Sequence, residues 1–143
     1  MIEAIPTKDF SYIKEVIASP GMKKRLTAGL PAPDNMDEYI QNPDITYLKV
    51  LKDGSEKGFV SFHKTGEDGA AQIHVALKTS GNDTVIAIRQ CISFERDNGI
   101  RTIYAVYPSN RRSIHALADG LGFEKLPDIG YLGLNLSVRK LTT

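Results

Sequence analysis

The chain has 143 residues, of which 41% are apolar and 24% charged, and a formal net charge of +1. Those values fit one ordinary globular domain, able to bury roughly two-thirds of its unfolded surface without a disulfide or structural metal. The near-neutral balance excludes the basic surplus of a dedicated nucleic-acid binder, and a single cysteine, Cys91, excludes an intramolecular disulfide framework.

No apolar run approaches the roughly 20 residues that span a bilayer, and the opening MIEAIPTKDF lacks a basic-then-apolar leader. The expectation is a protein with no membrane partner, in a reducing, cytoplasmic setting. The one basic cluster, Lys23-Lys24-Arg25, reads as solvated surface.

Residues 2–5 suggest a short first strand. Thr7 is placed to cap a helix with Phe10, Ile13 and Ile17 at helical spacing, ended by Pro20-Gly21. Residues 29–33 read as a loop. Asp34 or Asn35 then caps a short second helix through Tyr39 and Ile40, stopped by Pro43. Residues 45–52, 58–63 and 70–77 read as three strands joined by the turns Asp53-Gly54 and Gly66-Glu67-Asp68-Gly69, an antiparallel meander.

The period then changes. Thr79 to Asp83 is a polar loop, and Thr84 to Asn98 a helix with Val85, Ile88, Cys91 and Ile92 on one face, stopped by Gly99. Glu95 falls on that apolar face, where a locally paired or snorkelling carboxylate is expected; Cys91 reads as a buried, inert thiol. Residues 101–107 form a strand apolar on both faces, hence central. Asn110 opens a helix with the stripe Ile114, Leu117, Ala118 and Leu121, ended by Gly122. Residues 123–126 are a short strand, and the alternation over 131–138 predicts a half-exposed antiparallel one, whose edge could pair with a partner's in a homodimer.

The segment PSNRRSIHALADGLGFEKL, residues 108–126, resembles the part of the GNAT N-acetyltransferase superfamily in which a strand ends at an Asn and a helix runs to a Gly-Phe pair. Here these are Asn110, with Ser113 three residues on, and Gly122-Phe123. The stretch IHVALKTSGNDTV, residues 73–85, is similar to the region where that family binds acetyl-CoA. The resemblance runs from about Ile45 to Lys125 and implies the GNAT fold: an α/β (α+β) domain over 1–143, with a mixed, mostly antiparallel sheet of six or seven strands and about four helices. Such compact members also resemble phage-encoded ones.

What it implies for function is transfer of an acetyl group from acetyl-CoA, as co-substrate, to the amine of a small molecule or protein. The alternative is a silent GNAT-fold binding or structural protein, for example in a virion. A helix N-terminus suits a pyrophosphate, so the implied cofactor site comprises Thr79, Ser80, Gly81, Asn82, Asp83 and Thr84. Val75 and Leu77 would offer backbone groups to the pantetheine arm, with a backbone N–H among residues 75–77 for the developing oxyanion. Asn110, as a cap or a cofactor contact, and Arg111 and Ser113 complete the implied set, and Arg112 shares the first turn with Arg111. The strands 70–77 and 101–107 must splay apart for this.

The chain departs from the family pattern at three places. The phosphate loop reads Lys78-Thr79-Ser80-Gly81-Asn82-Asp83, with one Gly and an acidic residue where a second small one belongs. The general-acid Tyr is missing: the two ways of counting land on Leu117 and Ala118. The strand into the loop carries no carboxylate, only Gln72 and His74 on one face. His74 is the better base, with an ordinary imidazole value of about 6.5; its structural alternative is a satisfied His on a sheet face. His63 could approach the same face, and His115 reads as solvated. Three scattered His make no metal site. Asp34, Asp37, Glu38 and Asp44 make residues 20–43 and their border acidic, which favours a cationic acceptor.

Overall fold

The computed structural model describes residues 1–22 and 35–143. The cluster Lys23-Lys24-Arg25, the loop 29–33 and Asp34 lie outside them. The strands are β1 (Ile2–Thr7), β2 (Ile45–Lys52), β3 (Ser55–Lys64), β4 (Ala70–Leu77), β5 (Thr102–Pro108), β6 (Glu124–Tyr131) and β7 (Leu134–Thr142). The helices among the described residues are α1 (Phe10–Ile17), α2 (Met36–Ile40), α3 (Gly81–Asp97) and α4 (Arg112–Gly120). All seven strands form one sheet in the order β1-β2-β3-β4-β5-β7-β6. Only β4 and β5 pair in parallel, because α3 carries the chain across between them.

Each face of the sheet has its own core. Ile13, Val16 and Ile17 of α1 and Ile40 of α2 pack against Tyr47, Phe59 and Ala76. Ala87, Ile88, Cys91 and Ile92 of α3 and Ala118 of α4 pack against Val60, Phe62, Ile73 and Ile103 on the other face. The alternation of β3 and β4 divides their side chains between the two cores, which is why these strands bury both faces.

Local chemistry decides the ends of the elements. Asp9, not Thr7, caps α1: its carboxylate accepts from the Tyr12 N–H, while the Thr7 hydroxyl accepts from the Asp9 N–H. Asn35 caps α2 through the Glu38 N–H, and the Tyr47 hydroxyl binds the Ile40 carbonyl at 2.9 Å. Asp53 (φ 51°) and Gly54 (φ 82°) turn the β2–β3 hairpin in the left-handed region that matches strand twist. Helix α3 starts at Gly81, three residues before the predicted Thr84. It ends as expected at Gly99, with Gly99 N–H on the Arg96 carbonyl and Ile100 N–H on that of Glu95. Helix α4 closes the same way through Gly122 and Phe123.

Three expectations need correction. The last two strands are longer than the alternation suggests, because Leu132 and Gly133, both at positive φ, form the turn between them. Strand β7 lies between β5 and β6, so it is not half-exposed: Leu136, Ser137 and Arg139 are buried. Glu95 neither pairs nor snorkels. It is 4% exposed, and its Oε1 has no hydrogen-bond partner among the described residues. Burial raises its carboxyl to about 7, with Lys64 pulling the other way.

Candidate active site

Strands β4 and β5 stay together only over Ala70–Gln72 and Thr102–Tyr104. Beyond that they splay, and a cleft of about 160 Å³ opens between them. Ile73, His74, Val75, Leu77, Thr79 and Thr84 line one wall; Ala105, Val106, Tyr107, Pro108, Arg111, Ile114 and Leu117 line the other. The Lys78 N–H donates to the Lys57 carbonyl on the β3 side. Strand alternation then turns the N–H and C=O groups of Val75 and Leu77 toward the opening, where no strand among the described residues pairs with them.

The N-terminus of α3 borders this cleft. Ser80 stands at its cap without a side-chain hydrogen bond, so the first N–H groups of a 17-residue helix keep their capacity for an acceptor. Gly81 has φ +57°, and a left-handed residue leading into a helix gathers successive N–H groups around one point. Asp83 does not take those groups. Its carboxylate binds Lys52 Nζ at 2.7 Å, which turns the acid outward and neutralises it. The Thr79 and Thr84 hydroxyls meet at 2.7 Å, bracing the loop against the first turn.

The remaining expected residues divide. Arg111 lines the cleft and stands at the cap position of α4, without a side-chain cap bond. Asn110 does not cap that helix, which begins two residues later; it is exposed in the turn, and Ser113 is exposed on α4. Arg112 is also exposed. Among the described residues no set of His, Cys, Asp and Glu gathers as metal ligands, and no helix is long and apolar enough to cross a membrane. Cys91 is buried, its thiol pushed up to about 12 by burial and by Glu95.

The two faces of the cleft differ in chemistry. His74 pairs across the sheet with Ser61, and Gln72 with His63. All four share the face of Phe59 and Ala76, the α1–α2 side, so the expectation that His63 and His74 meet one face holds. Val75 and Tyr107 face the α3–α4 side, by the parity of Ile73 and Ile103 in that core.

On that second side lies a polar network the sequence reading did not anticipate. His115 is half-buried rather than solvated: Nε2 lies 2.8 Å from the Ser109 carbonyl and Nδ1 2.8 Å from the Tyr107 hydroxyl. Arg139 Nε donates to that hydroxyl at 3.1 Å, and Arg139 Nη1 meets the Asp119 carboxylate at 2.6 Å. Burial works against the Arg139 charge, but its bonds to Asp119 and Tyr107 outweigh it and raise its value. A buried tyrosine needs a hydroxyl partner, so Tyr107, at an otherwise apolar strand end eight residues before a His, carried the one available signal.

No protein-family model matches the sequence, and no curated protein matches it. Solved structures do. A probable acetyltransferase of the GNAT family from Chromobacterium violaceum has a TM-score of 0.71 at 15% identity, over 99% of this chain and 82% of that one. The ribosomal-protein-alanine N-acetyltransferase of Brucella melitensis has a TM-score of 0.70 at 15% identity, over 100% and 99%. An N-acetyltransferase from Staphylococcus aureus has 0.69 at 13%, over 99% and 96%. The chain has the GNAT acetyltransferase fold, with a seven-stranded mixed sheet and helices on both faces.

Proposed function

We propose that this protein is an acyl-CoA-dependent N-acyltransferase that moves an acetyl group from acetyl-CoA to a primary amine of a small molecule or protein. The observation that carries this reading is the meeting at one cleft of two backbone surfaces that lack a partner among the described residues: the edge of β4 at Val75 and Leu77, and the N-terminus of α3, where Ser80 makes no side-chain cap bond. The first suits the amides of a pantetheine arm, and the second suits a pyrophosphate. Thr79, Ser80, Gly81, Asn82 and Thr84 surround that terminus, and Arg111 adds a cation on the facing wall.

In this reading a β4 N–H holds the carbonyl oxygen as charge builds on it. His74, reaching the cleft from the α1–α2 side, takes the amine's proton. The acceptor enters from that side, the face that α1 and α2 cover, where Asp37 is already paired with Lys14 Nζ at 2.9 Å. The Brucella neighbour, by its name, acts on a ribosomal-protein alanine, which favours a protein amine as one acceptor to try. A silent binding protein is the second reading, favoured by Leu117 and Ala118 standing where the family's acid would be.

Calorimetric titration with acetyl-CoA tests the proposal. Saturable micromolar binding is expected, weakened about tenfold or more in Gly81→Val. A Cβ there meets nothing within 4 Å, so the cost is that of a β-branched residue in the left-handed region, about 2 kcal/mol or more, and a thermal melt checks that the variant is folded. No binding up to millimolar ligand by the folded wild type would overturn the proposal and leave the silent reading.

A further inference from the structure

We infer that Tyr107 is the group that protonates the departing sulfur, in place of the tyrosine missing from α4. The inference rests on the acyl-transfer reading above.

The hydrogen-bond pattern fixes which atoms carry protons. The Ser109 carbonyl can only accept, so His115 Nε2, 2.8 Å away, carries the ring proton. In the neutral ring Nδ1 is then an acceptor, and the Tyr107 hydroxyl donates to it. Arg139 Nε donates to the same hydroxyl oxygen. Ser109 is itself pinned: its N–H and hydroxyl both bind the Asn135 carbonyl, at 3.0 and 2.9 Å. The imidazole is therefore held in one tautomer and one orientation.

Turning that hydroxyl costs its 2.8 Å bond to Nδ1 but leaves neither ring nitrogen bare. Tyr107 lines the cleft although it is 5% exposed. When its O–H swings from Nδ1 into the cleft, Nδ1 keeps a donor, because Arg139 Nη2 lies 3.4 Å from it. When the proton leaves, the Arg139 N–H and its charge remain on the oxygen, and Asp119 holds that guanidinium in place. Ile114 and Leu117 line the same wall of the cleft with apolar side chains.

Placement agrees with the chemistry. His74 and Tyr107 face opposite sides of the sheet at the splay. The amine arrives on one side and the thiolate departs on the other. As the N–C bond forms and the C–S bond breaks, the amine proton goes to His74 and the Tyr107 proton to the sulfur. Tyr107 regains a proton from water and His74 returns one to it, so the balance is one amine and one thioester to one amide and one thiol.

The test uses binding of the thiol product, which needs no acceptor. Calorimetry with CoA and with desulfo-CoA is run from pH 6 to pH 9.5 on wild type and Tyr107→Phe, and the ionisation of bound CoA is followed by thiolate absorbance. A hydroxyl donating to a thiolate favours CoA over desulfo-CoA by about tenfold or more at the alkaline end. Tyr107→Phe is expected to abolish that preference, to leave desulfo-CoA affinity within about twofold, and to raise the pH at which bound CoA ionises. A merely structural tyrosine would change both ligands alike. Equal affinities in the wild type at every pH, or a preference retained in Tyr107→Phe, would overturn the inference while leaving acyl-CoA binding intact. Failure of both ligands to bind the wild type would sink the acyl-transfer reading and this inference with it. Equal affinities in the wild type overturn the inference whether or not the variant folds.

Discussion

Glu95 gives the most quantitative prediction. Its side chain is 4% exposed on α3, and one carboxylate oxygen has no partner among the described residues. Burial raises the group from its ordinary 4.5 to about 7. Between those values the folded protein keeps a proton that the unfolded chain has released, so stability falls as pH rises. The loss begins near pH 4.5, is nearly complete above pH 7, and sums to roughly 3 kcal/mol at about 1.4 kcal/mol per pH unit. Glu95→Gln keeps the shape and removes the ionisation. Its own buried amide costs the same at every pH, so the difference between the two proteins isolates the carboxylate. Urea unfolding at pH 5, 6, 7 and 8 is expected to show the variant gaining roughly 2 to 3 kcal/mol on the wild type across that range. That is about 1 M in midpoint. Stability curves that stay parallel from pH 5 to pH 8 would refute the reasoning, because they would mean that Glu95 is solvated or paired in solution.

Gly58 sits at φ +107° where an added Cβ would lie 2.0 Å from the Ala76 carbonyl oxygen. Gly58→Ala is therefore expected to cost about 3 kcal/mol or more, lowering the thermal midpoint by about 10 °C in a melting experiment. Tyr12→Phe removes the hydroxyl that accepts the Gly58 N–H at 2.9 Å, and denaturant titration is expected to show a loss of about 1 kcal/mol. The Cys91 thiol, fully buried and raised to about 12, is expected to resist a thiol reagent at pH 8 in the native protein. Labelling should follow the unfolding equilibrium as urea is added, and fast labelling without urea would contradict the packing of α3.

The element order was legible because period and punctuation are local properties. Asp53-Gly54 demanded a tight hairpin, Gly99 and Gly122 closed two helices, and the stripe of Ile88, Cys91 and Ile92 had a helical period. The boundaries that slipped did so where two local signals competed. Thr7 and Asp9 can each bind an N–H near the start of α1, and Leu132-Gly133 turns a stretch whose alternation looks continuous. The candidate site was legible in part, since a polar loop with one Gly between a strand and a helix already marks a helix N-terminus.

The rest belonged to tertiary structure, because it depends on which groups from distant segments meet. Asp83 becomes harmless to an anion only because Lys52, 31 residues away, takes its charge. Glu95 loses its solvent only when the sheet closes over α3. His115 looked solvated on its helix; Tyr107 from β5 and Arg139 from β7 made it part of a buried network. The sequence by itself determined the periodic faces and the turns, which short-range sterics and hydrogen bonding dictate. Only the packed sheet decided where β4 and β5 part, which backbone groups were left without partners, and which side chains surround the gap.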